Sequence, residues 1–294
     1  MSTIQKGDIV ARKSYNADMM FKVIETLEGE EDGISYSIAM LKGIESRLIA
    51  SAPFSDLIKL DQEEVELRRE NMVSESKSRL RHIYRQRITR NSNVGWRGPN
   101  QQSYTFQEFP GIVLHLDGDP DYMQECVNYY NQMKIPVIAQ FVEEKEQPRV
   151  VRRLLEEYHP DILVLTGHDG LIVSKKNKHE VGSYYHTKYF VEAVKEARRY
   201  DINKDSLVIF AGACQSHYER ILEAGANFAS APERVFIHCF DPVLIAEKVA
   251  YTPINEIVRI DDLIVNTITG IKGVGGIETR GKFRLGLPRL NTKG

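Results

Sequence analysis

The stretch Leu207-Val208-Ile209-Phe210-Ala211-Gly212-Ala213-Cys214-Gln215-Ser216-His217 decides how the rest of the chain is read. Its first part is a continuous apolar run of strand length, rich in β-branched and aromatic residues. Small residues end the run and deliver a thiol, Cys214, to the point where a helix over 215–224 is expected to begin. Upstream, Asp161-Ile162-Leu163-Val164-Leu165-Thr166-Gly167-His168-Asp169-Gly170 repeats the design with a histidine in place of the cysteine. Two such strand ends on one edge of a parallel sheet bring both side chains together, and a thiol needs a base or a cation beside it to become thiolate near neutral pH. The two stretches predict a cysteine hydrolase dyad of Cys214 and His168.

The pattern around them is α/β. Strands are expected over 111–117, 135–141, 161–167, 206–213 and 234–240, and helices over 120–133, 148–158, 187–200, 215–224 and onward from Pro242. Alternation of this kind gives a mostly parallel sheet flanked by helices, whose ligands gather at the carboxyl ends of the strands. Asp117, His168 and Cys214 all fall on that rim. Residues 169–186 read as a polar loop and 256–269 as an Ile/Val-rich stretch. The glycine-rich segment 273–281 reads as a mobile loop over the site, and without a Gly-Lys-Ser/Thr ending it is no nucleotide loop.

Before this unit, residues 4–60 carry short strands separated by Gly- and Glu-bearing turns. Lys6-Gly7-Asp8-Ile9-Val10 resembles the opening of SH3-like barrels, so a small N-terminal SH3-like β-barrel is expected, with a docking or stabilising role. Residues 61–90 hold neither Gly nor Pro and are mostly charged or polar, which favours a solvated helix. Its end, residues 79–90, is basic with interleaved aromatics; a solvated helix face is preferred there over a nucleic-acid contact. Residues 91–103 read as a linker. The division is therefore 1–60, 61–104 and 105–294.

Composition narrows the function. The 294 residues are 42% hydrophobic and 27% charged, with a formal net charge of -2, which gives no electrostatic reason to expect nucleic acid or a membrane surface as partner. No segment approaches the roughly 18 apolar residues of a membrane span, and the first residues do not read as a secretory signal. The three cysteines, Cys126, Cys214 and Cys239, form no C-x-x-C pair, so neither a disulfide framework nor a thiolate metal site is expected. A reducing cytoplasm suits them.

A cysteine nucleophile also needs donors for the developing oxyanion. The backbone N–H of Cys214, at a helix start, is one, and that of Asp169 or Gly170, just past His168, is the second. His217 competes with His168 as base, because i and i+3 share a helix face. His115 lies among apolar neighbours and reads as a core residue; Cys126, in a helix, and Cys239, in a strand, read as structural. The bland alternative for Cys214 is a small buried hydrophobe, which would leave a non-catalytic adaptor built on the barrel and basic helix. An amidotransferase-like thiol hydrolase is the other alternative, though there the histidine follows the cysteine.

The blocks Ile162-Leu163-Val164-Leu165-Thr166-Gly167-His168 and Leu207-Val208-Ile209-Phe210-Ala211-Gly212-Ala213-Cys214 resemble the dyad of caspase-like cysteine peptidases. One departure is Asp169, which intervenes between His168 and Gly170. The whole chain more closely resembles the YabG family of sporulation-specific proteases. The resemblance lies in Gly7-Asp8-Ile9-Val10-Ala11-Arg12-Lys13-Ser14-Tyr15, Leu114-His115-Leu116-Asp117-Gly118-Asp119, Thr166-Gly167-His168-Asp169, Phe210-Ala211-Gly212-Ala213-Cys214-Gln215-Ser216-His217 and Gly275-Gly276-Ile277-Glu278-Thr279-Arg280-Gly281. It implies an endopeptidase of the developing spore, on the cytoplasmic mother-cell side or at the coat, with coat and cortex-associated proteins as substrates. It further implies cutting at basic residues, self-cleavage included, with neither a metal nor an organic cofactor. A pocket for arginine needs a carboxylate to pair with the guanidinium. In the caspase-like family that determinant follows the first strand, where Asp117 and Asp119 stand here. Asp119 before Pro120 suits a helix cap better, leaving Asp117 as the S1 candidate and Asp241 as the reserve. Self-cleavage is expected within residues 79–90 and the linker after them.

Overall fold

The computed structural model describes residues 4–286 apart from 32–33, 92–95, 98–102, 105 and 176. Near the amino terminus, β1 (Ile9–Arg12), β2 (Phe21–Glu31), β3 (Ile34–Gly43), β4 (Ile49–Pro53) and β5 (Leu57–Lys59) form one antiparallel sheet in the order β4-β3-β2-β1-β5. Val10, Phe21, Val23, Ala39, Leu41, Ala52 and Leu57 make its buried face. After β3 the chain rejoins this sheet only at Ile49. Ser46 and Leu48 instead make isolated bridges to His238 and Asp169, outside the sheet.

Helix α1 (Gln62–Asn91) follows, as its lack of helix breakers dictates. It is more than a solvated connector. Ile83 joins the core of the second sheet, and the Arg87 guanidinium lies 3.7 Å from the Tyr251 ring centroid and 3.4 Å from Glu247. The linker read over 91–103 lies largely outside the described residues, which here comprise β6 (Trp96–Arg97) paired with β7 (Ser103–Tyr104), followed by β8 (Gln107–Phe109).

The remainder alternates: β9 (Val113–Asp117), α2 (Pro120–Gln132), β10 (Val137–Phe141), α3 (Gln147–Tyr158), β11 (Ile162–Thr166), α4 (Thr187–Tyr200), β12 (Val208–Ala211), α5 (Tyr218–Glu223) and β13 (Phe228–Ser230). After these come α6 (Asp241–Tyr251), β14 (Ile257–Val258), α7 (Ile260–Asn266), β15 (Val274–Gly276), β16 (Thr279–Arg280) and β17 (Arg284–Gly286). The sheet order is β10-β9-β11-β12-β13-β15, all parallel except β15. β14 pairs with β16 and β8 with β17.

Period-two burial explains why the strands are apolar throughout. Val113, Ile162, Val164, Val208, Phe210 and Phe228 pack on α2, α6 and α7. Leu114, Leu116, Leu163, Leu165, Ile209 and Ala211 pack on α3, α4 and α5. Register then sets the site: Thr166 pairs with Asp117 and Leu165 with Ala211, so the chain leaves three neighbouring strands side by side.

Three local expectations are corrected. Residues 234–240 are not a strand; the sheet takes Phe228–Ser230 instead, because left-handed Ala231 and Arg234 (φ 60° and 57°) around Pro232 break the pairing direction. Cys239 accordingly lies in a turn rather than a strand. The glycine-rich stretch is not a loop over the site, since it supplies β15 at the sheet edge. A Cβ on Gly276 would lie 2.2 Å from the Asn227 carbonyl oxygen, so glycine is there for close backbone approach. Among the described residues no helix is long and apolar enough to cross a membrane.

Candidate active site

The turn after β11 carries His168. Its backbone N–H donates to Glu144 Oε1 at 2.7 Å, an acid just past β10, two strands away in the sheet. A Cβ on Gly118 or on Gly167 would sit 2.2 Å from that oxygen, so both turns need glycine to admit the carboxylate. The imidazole stacks on Tyr122 at 5.2 Å, and Nε2 lies 3.6 Å from Asp119 Oδ2, beyond hydrogen-bond length. Burial outweighs the acids and holds the imidazole pKa down to about 3. At neutral pH His168 is an uncharged base.

Asp169 ties this turn to the one after β12. Its buried carboxylate accepts from the N–H groups of Gly170 and His186 and from the hydroxyls of Thr187 and Ser216. Ser216 Oγ in turn accepts from Ala213 N–H, and Thr187 Oγ1 from His217 N–H. The loop holding Cys214 is thereby fixed to the loop holding His168. α5 starts only at Tyr218, because Gln215 adopts φ 57° and ends any helix that would begin there. Cys214 therefore sits in the turn and not at a helix start. It is fully buried, its Sγ accepts the Ile237 N–H at 3.1 Å, and burial pushes the thiol up to about 12.

The two turns converge on Arg47, in the connection between β3 and β4. The backbone N–H groups of Cys214 and of Asp169 both donate to the carbonyl oxygen of Arg47, each at 3.1 Å. The third donor proposed from sequence, the Gly170 N–H, goes to the Asp169 carboxylate. The Arg47 side chain is fully buried, with Nη1 2.8 Å from Asp117 Oδ2. Its Nε and Nη2 donate to the Cys239 carbonyl (3.3 and 3.1 Å), and Nη1 to that of Gly167 (3.5 Å). Cys126 Sγ lies 3.6 Å from Nη2, and the Tyr122 ring flanks the guanidinium at 4.9 Å. Burial lifts the Asp117 carboxyl to about 6 against the pull of Arg47. His115, Asp117 and Cys126 would by type suit a metal ion; what they surround is this guanidinium.

The other candidates stand elsewhere. Asp119 caps α2, accepting from Asp121 and Tyr122 N–H, and pairs with Lys42 at 2.7 Å. Asp241 accepts from the N–H groups of Ile268 and Thr269 and so anchors the loop after α7. His217 turns its ring to the His179 carbonyl, Glu219 and Arg234. His115, buried beside Asp117, hydrogen-bonds Tyr130. The sequence reading missed Glu144, Tyr122 and Arg47. Glu144 carried the same signal as Asp117, an acid on the rim of a strand end. Arg47 carried none, since an arginine within a short barrel strand reads as exposed.

Comparison with known proteins gives one consistent result. The family described as YabG peptidase U57 matches residues 5–288. The sporulation-specific protease YabG of Bacillus subtilis (strain 168) is 43% identical over 287 residues, which cover 97% of this chain and 98% of that protein. No solved structure matches. With nearly every residue inside the match, including both turns and the strand that ends in Asp117, the chain belongs to the YabG peptidase U57 family.

Proposed function

We propose that this peptidase is a cysteine endopeptidase of sporulation that cuts after arginine, with Cys214 as nucleophile and His168 as general base. The observation that carries the proposal is the seat of one arginine. Its carbonyl oxygen accepts the N–H groups of Cys214 and Asp169 while its guanidinium meets Asp117. Two N–H donors on one carbonyl oxygen at a nucleophile are the geometry of an oxyanion hole. A buried carboxylate left facing a neutral side chain would be costly, which makes the pocket selective.

In the proposed reaction Cys214 Sγ gives its proton to His168 as it attacks the carbonyl carbon after an arginine side chain. The carbon–oxygen π pair moves onto the oxygen held by the Cys214 and Asp169 N–H groups. Collapse breaks the C–N bond, and His168 hands its proton to the leaving amine. Water, deprotonated by the same imidazole, then releases the acid and restores the thiol. Asp117 binds the arginine; Glu144, Asp169 and Tyr122 hold the turns and the ring of the base.

The strand order and the neighbouring ends carrying histidine and cysteine support a caspase-like unit over 105–294. The charged helix and linker span 61–104. Residues 1–60 form an SH3-like unit in this proposal, packed against the α/β unit. Proteins of the spore coat and cortex are the proposed substrates, met on the mother-cell side. Purified Cys214→Ala and His168→Ala variants tested on an unfolded arginine-containing protein decide the matter. Activity lost in both is expected. Full activity in Cys214→Ala would end the proposal, and activity kept only by His168→Ala would move the base to another group.

A further inference from the structure

The residue in the arginine pocket is part of the chain itself, and its neighbours are bound as well. Ser46 makes an antiparallel bridge with His238 on one side of Arg47, and Leu48 a parallel bridge with Asp169 on the other. The Ile49 N–H donates to the Asp169 carbonyl at 2.9 Å, and the Tyr122 hydroxyl donates to the carbonyls of Gly43 and Ser46. The Ser46 hydroxyl and the Arg47 backbone N–H lie against the Cys214 sulfur. Backbone held by strand-type bonds on both sides of a carbonyl, with the preceding side chain in a shaped pocket, is how a peptidase binds the residues around the bond it cuts.

We infer that the peptide bond between Arg47 and Leu48 is a self-cleavage site, cut in cis by Cys214 of the same chain. This inference rests on the cysteine peptidase reading and adds the bond, the order of reaction and the subsites to it. A merely structural arginine needs its guanidinium paired, but it has no need to aim its carbonyl at the N–H groups of Cys214 and Asp169. Residues 79–90, where the sequence alone suggested self-cleavage, are wound into α1 and offer helical rather than extended backbone. Arg47 is already seated.

Chemically, Sγ of Cys214 bonds to the Arg47 carbonyl carbon as its proton passes to His168. The bond to the Leu48 nitrogen breaks, and that nitrogen takes the proton. Water from solvent then hydrolyses the thioester, leaving an Arg47 carboxylate and a free thiol. The products are residues 1–47 and 48–294, with β1, β2 and β3 on one and β4 and β5 on the other. Both remain parts of the same antiparallel sheet, so the cut is a nick that denaturation reveals.

Intact-mass measurement and amino-terminal sequencing under denaturing conditions test this on the full-length wild-type chain, beside Cys214→Ala. Expected is a new terminus Leu48-Ile49-Ala50 in the wild type alone, with a half-time unchanged by tenfold dilution. Arg47→Gln should slow the cut at this bond by more than about a hundredfold. An intact wild-type chain that cleaves reduced, alkylated lysozyme after arginine in a Cys214-dependent way would overturn the self-cleavage and leave the peptidase reading standing. A wild type that cuts neither itself nor lysozyme would remove both. A rate proportional to concentration, or the same cut in Cys214→Ala, would also overturn the inference. The deciding measurement is made on the unaltered chain, so misfolding of Arg47→Gln does not affect it.

Discussion

In the proposed mechanism Asp117 sets the acid limit of cleavage. Its carboxyl is held at about 6 by burial acting against Arg47; above that pH it is ionised and pairs with a guanidinium, and below it the proton removes the charge. Cleavage after arginine is therefore expected to fall as pH drops through about 6. His168, held to about 3, stays neutral across that range and cannot produce this limb. In Asp117→Asn, kcat/KM on an arginyl peptide amide should drop by more than about a hundredfold and the limb should vanish; a limb retained by the variant would place the titrating group elsewhere. His217 has its ring turned to Glu219, Arg234 and the His179 carbonyl. Activity of His217→Ala should accordingly stay within about threefold of wild type, the change a few tenths of a kcal/mol in a barrier brings. At this scale the placement of Cys214, His168 and Asp117 at neighbouring strand ends was legible because residue type and a strand end coincide in sequence. Arg47 was not, because its burial depends on a pocket assembled from β9, α2 and two distant turns.

The turns between elements hold the site together. The Asp169 carboxylate receives donors from the Gly170–His186 side and from Ser216, so it spans the ends of β11 and β12. Asp169→Ala would leave several buried donors without an acceptor, at a cost of about 3 kcal/mol, read as a lower urea midpoint at unchanged m-value. Gly167→Ala should instead push the Glu144 carboxylate off the His168 N–H, because the new Cβ would meet Oε1. A large loss of kcat with a much smaller change in KM is expected; a change in KM alone would count against the role given to Glu144. The α/β alternation was readable from hydrophobic runs. The start of α5 was not, since the left-handed Gln215 has no sequence mark. Residues 234–240 misled because their apolar composition serves contacts with the first sheet, through Phe236 and Ile237, and not a ladder.

At the scale of the whole molecule, the two sheets share a core. Cys214, Ala231 and Ile237 of the α/β unit pack with Val10, Phe21 and Leu41 of the first sheet and with Leu48 just before β4. A separate N-terminal barrel is what composition suggests, because packing between distant segments leaves no local periodicity. Its packing against Cys214 has a measurable effect. With the thiol pushed up to about 12, Cys214 of the uncut Asp117-intact chain should alkylate with iodoacetamide at pH 7.5 more than about a hundredfold slower than free cysteine. Equal rates would mean the thiol is not covered.

The central claim, a Cys214 thiol that attacks carbonyls after arginine, is tested most directly by labelling a preparation that is actively cleaving protein with an arginyl chloromethyl ketone and mapping the adduct by mass spectrometry. The expected result is one adduct per inactivated chain, on Cys214, with labelling strongly reduced in Asp117→Asn. Complete inactivation with the adduct on any other residue, or full activity with Cys214 labelled, would contradict it.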